Sequence, residues 1–257
     1  MKKRFSVVIC SVVGLIFHVV CAAQSPTSWE EGLRRLAKAN ALVGDHHVAY
    51  RVVTYASAAK DALVLSDLRL ENFSLGSLRF SKMPEYSVLV QDSIQLMIDS
   101  SRRNVLLSQV SPRPLGNVVT AQLDSLLANK AKVIEAGTVT DLDANRYEIA
   151  LTYKPDLPYQ RVLYVVNKKS QQLEKVTMFS AQQQDMVLDA SKGVETIMPR
   201  TEMFIEPMPL PRRQDLPKLE DFVVYSDKAW KLQPALVGKF SFTNYTLYKQ
   251  SVLKSLK

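Results

Sequence analysis

Apolar positions along the chain recur with two different periods, and the order of those periods lays out the elements. From Ser28 to Asn40, Trp29, Leu33, Leu36 and Ala37 return at helical spacing, while Glu30, Arg34, Arg35 and Lys38 fill the other side. That is the pattern of an amphipathic helix. Ser28 stands at the cap position with Glu31 three residues on, a capping box. The period then falls to two. HHVAYRVVTY sets Val48, Tyr50 and Val52 on one side of a strand, and DALVLSDLRLENF and GSLRFSK continue alike, with Leu68 and Leu70 separated by Arg69. The helix needs a cover for its stripe, and the strands that follow it are the expected one.

YSVLVQDSIQLMIDSSRRNVLLSQV predicts three more strands. Val88 and Val90 share one face of the first, Ile94, Leu96 and Ile98 of the second, Val105 and Leu107 of the third. Asp92 and Asp99 fall at the chain reversals, where a carboxylate bonds nearby backbone amides. At successive hairpin ends they stand a strand length apart, about 20 Å. A glycosidase-type carboxylate pair needs about 5 to 10 Å, so these acids are turn formers.

SPRPLG ends the meander, and NVVTAQLDSLLANKA predicts a second helix, capped by Asn117 and burying Val119, Leu123, Leu126 and Leu127. Strands resume with KVIEAGTV and with NRYEIALTY, where Tyr147, Ile149, Leu151 and Tyr153 face one way. RVLYVVN and QLEKVTMF form a hairpin around Asn167 to Ser170. Pro207, Pro209, Pro211 and Pro217, with Arg212 and Arg213 among them, then predict an extended arm or linker outside any sheet ladder. Beyond it, DFVVY, KAWKLQ and KFSFTNYTLY are short strands that either complete the main sheet or dock on a partner. The predicted class is mainly β with α (α+β), a strongly curved antiparallel sheet or half-barrel covered by two helices. Its domain spans 24–206, followed by a Pro-rich arm at 207–217 and a basic, aromatic, β-rich extension at 218–257.

Composition supplies an address. Lys2, Lys3 and Arg4 precede an apolar run to Val20 and the small residues Cys21, Ala22 and Ala23, the form of a secretory signal peptide over 1–23. The run is shorter than the roughly 20 residues that span a bilayer. An exported, periplasmic protein cut near Ala23 is expected; lipidation at Cys21 is disfavoured by the bulk of Val20 beside it. Both cysteines, Cys10 and Cys21, precede the cut. The mature chain therefore has no disulfide, thiolate metal site or cysteine nucleophile, and must be held by an ordinary hydrophobic core. Of the net +8, three basic residues precede the cut and no acid does, leaving +5, all of it within 207–257. An acidic partner or anionic membrane surface suits such a segment, and nucleic acid does not suit that compartment.

Chemistry is sparse. His46 and His47 are adjacent, so in a strand they point to opposite faces and cannot share a metal in the usual way. The eight glycines form no phosphate-binding cluster. No GxSxG elbow occurs, and the SxxK matches Ser57 to Lys60 and Ser251 to Lys254 lack their companion motifs. No catalytic residue, metal or cofactor is expected. What remains is surface: Tyr50, Tyr147, Ile149, Leu151 and Tyr164 either line an apolar cavity or simply form core, since both have one composition.

The segments SWEEGLRRLAKANAL, RFSKMPEYSVLVQDSIQLMIDSSRRNVLL and VTAQLDSLL, in the order helix, meander, inserted helix, further strands, resemble the periplasmic lipoprotein carrier (LolA) family over about residues 28 to 180. The resemblance implies an incomplete barrel closed by helices that holds lipoprotein acyl chains. Lys82-Met83-Pro84-Glu85-Tyr86 echoes part of a family pattern, and the Pro-rich arm and aromatic end depart from it. Two functions are carried forward. One is a non-enzymatic envelope protein that binds an acyl chain, lipid or lipoprotein. The other is a scaffold module of an envelope assembly that docks on a partner or membrane through Arg212, Arg213, Lys228, Lys231, Phe240 and Phe242.

Overall fold

The computed structural model describes residues 25–39, 44–110, 118–189, 191 and 193–245. The expected signal peptide, Cys21 and the Asn117 cap lie outside them. Helices α1 (Trp29–Ala39) and α2 (Val118–Val133) accompany sixteen strands. The first six are β1 (His46–Tyr55), β2 (Val64–Leu75), β3 (Leu78–Lys82), β4 (Tyr86–Gln91), β5 (Ile94–Asp99) and β6 (Asn104–Gln109). After α2 come β7 (Ile134–Asp141), β8 (Arg146–Tyr153), β9 (Tyr159–Asn167) and β10 (Leu173–Ser180). The last six are β11 (Gln184–Asp189), β12 (Gly193–Ile197), β13 (Arg200–Pro207), β14 (Val223–Ser226), β15 (Ala229–Leu232) and β16 (Ser241–Asn244). Of the sixteen, β7 to β10 form one run of paired strands and eight, β1 to β6 with β13 and β16, another; the pairs β11-β12 and β14-β15 stand apart from both. The class is α+β, as the alternation of periods predicted.

The chain divides into two compact units, one taking positions up to 41 with 119–183, the other 42–118 with 184–257. In the first, β7 to β10 form an antiparallel run in sequence order. Register sets Ile149 between Val139 and Tyr164, and Tyr147, Ile149 and Leu151 have no exposed surface. Helix α1 covers this face, packing on β7 and β8. The approach is close because two glycines permit it. A Cβ on Gly137 would lie 2.5 Å from the Trp29 ring, and one on Gly32 would lie 2.7 Å from Ile149 Cδ1. Leu33, Leu36 and Ala37 are buried as expected, and Leu123 marks the buried side of α2. Lys130 of α2 bonds Glu30 of α1 at 3.0 Å. Bulges at Ile134/Ala136, Leu173/Lys175 and Phe179/Ser180 bend and coil the strands they interrupt.

The α1 cap differs from the expected box in one respect. The Glu31 amide donates to Ser28 Oγ at 3.2 Å, but the Glu31 carboxylate accepts from the amide and hydroxyl of Thr27 at 2.9 and 2.8 Å. The returning arm thus lands one residue earlier.

In the second unit, strands β6 to β1 pair antiparallel in reverse sequence order, β13 pairs with β1, and β16 pairs with β6 in parallel. The β13 ladder runs through Ile205↔Tyr50 to Pro207↔Val48, so the expected arm begins inside a strand and the expected boundary at 206/207 is crossed by it. Pro207 is tolerated because it ends the strand. Past it, the Met208 amide still donates to the His47 carbonyl at 2.9 Å. The C-terminal segment is likewise no free appendage. Leu219, Phe222, Val223, Trp230, Leu232, Phe240 and Phe242 pack on Leu89, Leu96, Ile98, Val105 and Leu107. Register explains the choice of face: Phe73, Phe80, Leu89, Leu96 and Leu107 are cross-strand neighbours in turn. In β4 the buried residue is accordingly Leu89, and Val88 and Val90 share the opposite face.

The turns obey their residues. Asp99 accepts from the Ser101 hydroxyl and the Arg102 amide at 2.7 and 2.8 Å, and Asp92 takes the left-handed conformation of a two-residue hairpin (φ 55°).

Candidate functional site

The second unit carries apolar side chains on both faces of its sheet, and the face opposite the C-terminal segment is the candidate site. On β13, β1 and β2, Met203 pairs with Val52 and Val52 with Leu68; Ile205 pairs with Tyr50 and Tyr50 with Leu70. Paired residues in neighbouring strands point to one face. Six apolar or aromatic side chains therefore form one patch, three strands wide at about 4.8 Å per strand. Five of them are half-buried and Leu68 is 46% exposed. The core face of the same unit, by contrast, has Leu89, Leu96, Val105 and Leu107 at zero exposure.

Polar residues frame the patch. On one side Thr201, Thr54 and Ser66 make a hydroxyl row, with Thr54 Oγ1 and Thr201 Oγ1 3.3 Å apart. On the other stand Asn72 and Ser81. Beyond them the same face continues through the row Val88, Met97 and Leu106. Burial holds the Tyr50 phenol above its ordinary value, partly offset by Asn72, so it stays neutral and donating at physiological pH. The charged pair Arg51 and Asp67, 2.7 Å apart, falls on the alternate positions of β1 and β2 and leaves the patch uncharged.

The other cavity candidates stand in a different unit from Tyr50. Tyr147, Ile149, Leu151 and Tyr164 belong to the first unit, and the first three are sealed core beneath α1. Tyr147 gives its hydroxyl to Gln171 at 2.8 Å, and burial pushes its phenol up to about 12. Tyr164 is held well above the ordinary phenol range by burial and is hydrogen-bonded to Tyr153. Tyr147, Ile149 and Leu151 have the chemistry expected of them but no exposed surface to offer a ligand, whereas Tyr164 is half-buried.

The proposed docking residues also separate into two kinds. Arg212, Arg213, Lys228 and Lys231 are exposed. Arg213 opens a short 3-10 turn, Lys228 sits at φ 64° in the β14-β15 hairpin turn, and Lys231 pairs with Asp227. Phe240 and Phe242 are instead packed against the unit's own core, because β16 completes the sheet edge beside β6. They are not free for a partner. His46 and His47 bind carbonyls separately, Gly44 at 3.0 Å and Pro209 at 2.8 Å. Among the described residues no group of three or more His, Cys, Asp or Glu could hold a metal, and no helix is long and apolar enough to cross a membrane.

Sequence reasoning found Tyr50, Val52, Leu68 and Leu70 as strand residues and missed Met203 and Ile205. The alternation in MFIE was available, but the prolines directly after it masked the strand.

No family model matches the chain, and no curated protein matches it. Solved structures do. A LolA-superfamily protein from Nitrosomonas europaea is 16% identical over 75% of this chain and 96% of its own, with a TM-score of 0.28. LprF from Mycobacterium bovis is 10% identical over 72% and 96%, TM-score 0.35. An outer membrane lipoprotein-sorting protein domain from Vibrio parahaemolyticus is 9% identical over 73% and 95%, TM-score 0.25. The LolA superfamily is also the one whose order of elements the sequence resembles; at these identities and TM-scores the likeness carries no argument, and nothing about ligand or partner rests on it.

Proposed function

We propose that the chain is a non-enzymatic envelope protein that binds an acyl chain, of a lipid or a lipoprotein, on the face formed by Tyr50, Val52, Leu68, Leu70, Met203 and Ile205. The observation that carries this reading is the incomplete burial of six apolar side chains on one sheet face, opposite a core face in the same unit where Leu89, Leu96, Val105 and Leu107 have no exposed surface. Burying a methylene is worth about 0.8 kcal/mol, so ten of them supply on the order of 8 kcal/mol before association costs. An acyl chain asks for nothing more specific. The hydroxyl row and Asn72 at the borders suit a polar head beside an apolar tail, and the neutral Tyr50 phenol can donate to an ester carbonyl there.

Native mass spectrometry of protein purified from the compartment where it accumulates is the direct test. Acyl species should accompany the wild type and be lost from Leu68→Glu and Val52→Glu variants that remain folded. Wild-type protein free of acyl species that also fails to take up a fluorescent fatty acid would end this reading. The scaffold alternative loses its aromatic half, since Phe240 and Phe242 are committed internally, and keeps only the exposed cations of the arm and hairpin.

A further inference from the structure

One end of the second unit gathers cationic turns that the ligand reading does not use. The β5-β6 reversal ends in Arg102 and Arg103, both exposed, with the Arg102 side chain 85% exposed and only loosely paired to Asp99 at 3.8 Å. The turn before β16 carries Val237, 65% exposed, Gly238 at φ 80°, and exposed Lys239. The two turns are fixed side by side, because the Ser241 amide donates to the Arg103 carbonyl at 2.9 Å and the Ser241 hydroxyl to Asn104 at 2.9 Å. Tyr86, 39% exposed, closes the row: Tyr86 pairs with Asp99, Asp99 with Asn104, and Asn104 with Ser241. Four neighbouring strand ends span about 15 Å. Two acids belong to this end. Asp99 is turned inward onto Ser101 and the Arg102 amide, and Glu85, whose carbonyl accepts from the Ser100 amide, is exposed.

We propose that this rim of Tyr86, Arg102, Arg103, Val237 and Lys239 is a docking surface for an anionic lipid bilayer. Charge complementarity points to an anionic partner. The exposed valine and tyrosine among the cations point to a bilayer rather than an acidic protein: an apolar side chain dips below the headgroups, tyrosine favours the interface, and guanidinium and ammonium groups meet phosphates. The groups sit at turns and strand ends, which a fluid headgroup layer can meet without a shaped pocket. Attraction of this kind falls off within a Debye length.

The test uses the full mature chain in sedimentation with vesicles of phosphatidylcholine alone or with phosphatidylglycerol. Binding should need the anionic lipid, weaken with salt, and drop roughly fivefold for each charge removed in Arg102→Gln, Arg103→Gln and Lys239→Gln. Val237→Asp should weaken it further at fixed salt. Neutralising Arg212, Arg213, Lys228 and Lys231 serves as the control and should cost markedly less than the triple rim variant. Equal loss in rim and control variants would reduce the effect to net charge and overturn the proposal. So would absence of binding to anionic vesicles, or equal binding to both lipids. Because vesicle binding and acyl uptake are read separately, either reading can fail without the other.

Discussion

The two faces of the sheet in the second unit are built from the same strands and the same kinds of residue, yet one is sealed and the other is not. Leu96 and Met97 are sequence neighbours in β5; Leu96 has no exposed surface and belongs to the core, while Met97, pointing the opposite way, is half-buried. What separates them is the covering segment. Residues from Leu219 to Phe242 return to lie on the Leu96 side, whereas Leu68 on the opposite face is left 46% exposed. A sheet apolar on both faces can specify a fold with one of them and keep the other for binding.

Removing the cover should break the comparison outright. A chain ending at Pro217 exposes Leu89, Leu96, Val105 and Leu107, each worth about 1.5 to 3 kcal/mol when buried. Their sum is comparable with the whole stability of a domain, about 5 to 15 kcal/mol. The truncated protein should lose its cooperative thermal transition in circular dichroism; a folded product that has merely lost a partner would show that the segment is an appendage after all. A smaller effect comes from the neighbouring pair. Leu96→Ala should cost about 2 to 5 kcal/mol in urea unfolding, and Met97→Ala less than about 1 kcal/mol. Equal costs would mean that both faces are core and would remove the basis for a binding face.

The pair also shows what the sequence could carry. Alternation with period two identifies a strand whichever face is buried, so all six meander strands and the β9-β10 hairpin were legible. It does not say which face is buried when both are apolar. Val88 and Val90 are legible as one face of β4, but the buried residue is Leu89 on the other, because its neighbours Phe80 and Leu96 lie under the C-terminal cover. Helix α1 was legible from its own stripe and cap, but its partner was not: β7 begins at Ile134, far along the chain from the helix end at Ala39, and no local period encodes that. The cavity residues were chosen for composition, which core and binding wall share. Exposure, which distinguishes Tyr50 from Tyr147, is a tertiary property.

The first unit provides a second sealed face, and its seal depends on a missing side chain. Gly137 lets the Trp29 ring lie flat against β7, and a methyl group there would come within 2.5 Å of the ring. Gly137→Ala should therefore cost about 1 to 3 kcal/mol through overpacking, and it should raise amide exchange in α1. Unchanged stability and exchange would mean that α1 shifts freely on the sheet, so that its face is no better sealed than the one around Leu68.

The smallest effect concerns the pin that starts that helix. Bonds from the Thr27 amide and hydroxyl, with Arg35 at 2.5 Å, hold the Glu31 carboxyl at about 2 against an ordinary 4.5. A group whose pKa is depressed in the folded state binds its proton more readily when unfolded, so its contribution is complete above about pH 4.5 and disappears as the pH falls toward 2. Glu31→Gln should lower the thermal midpoint slightly at neutral pH, and the gap to wild type should close across that acid window. Because the carboxylate is solvent-exposed and its bonds are at the helix end, the change should stay confined to α1, with Tyr50 and the open face of the other unit unaffected in acyl uptake. A gap that stayed constant from pH 7 to pH 2 would show that Glu31 acts through packing or helix propensity rather than through its charge.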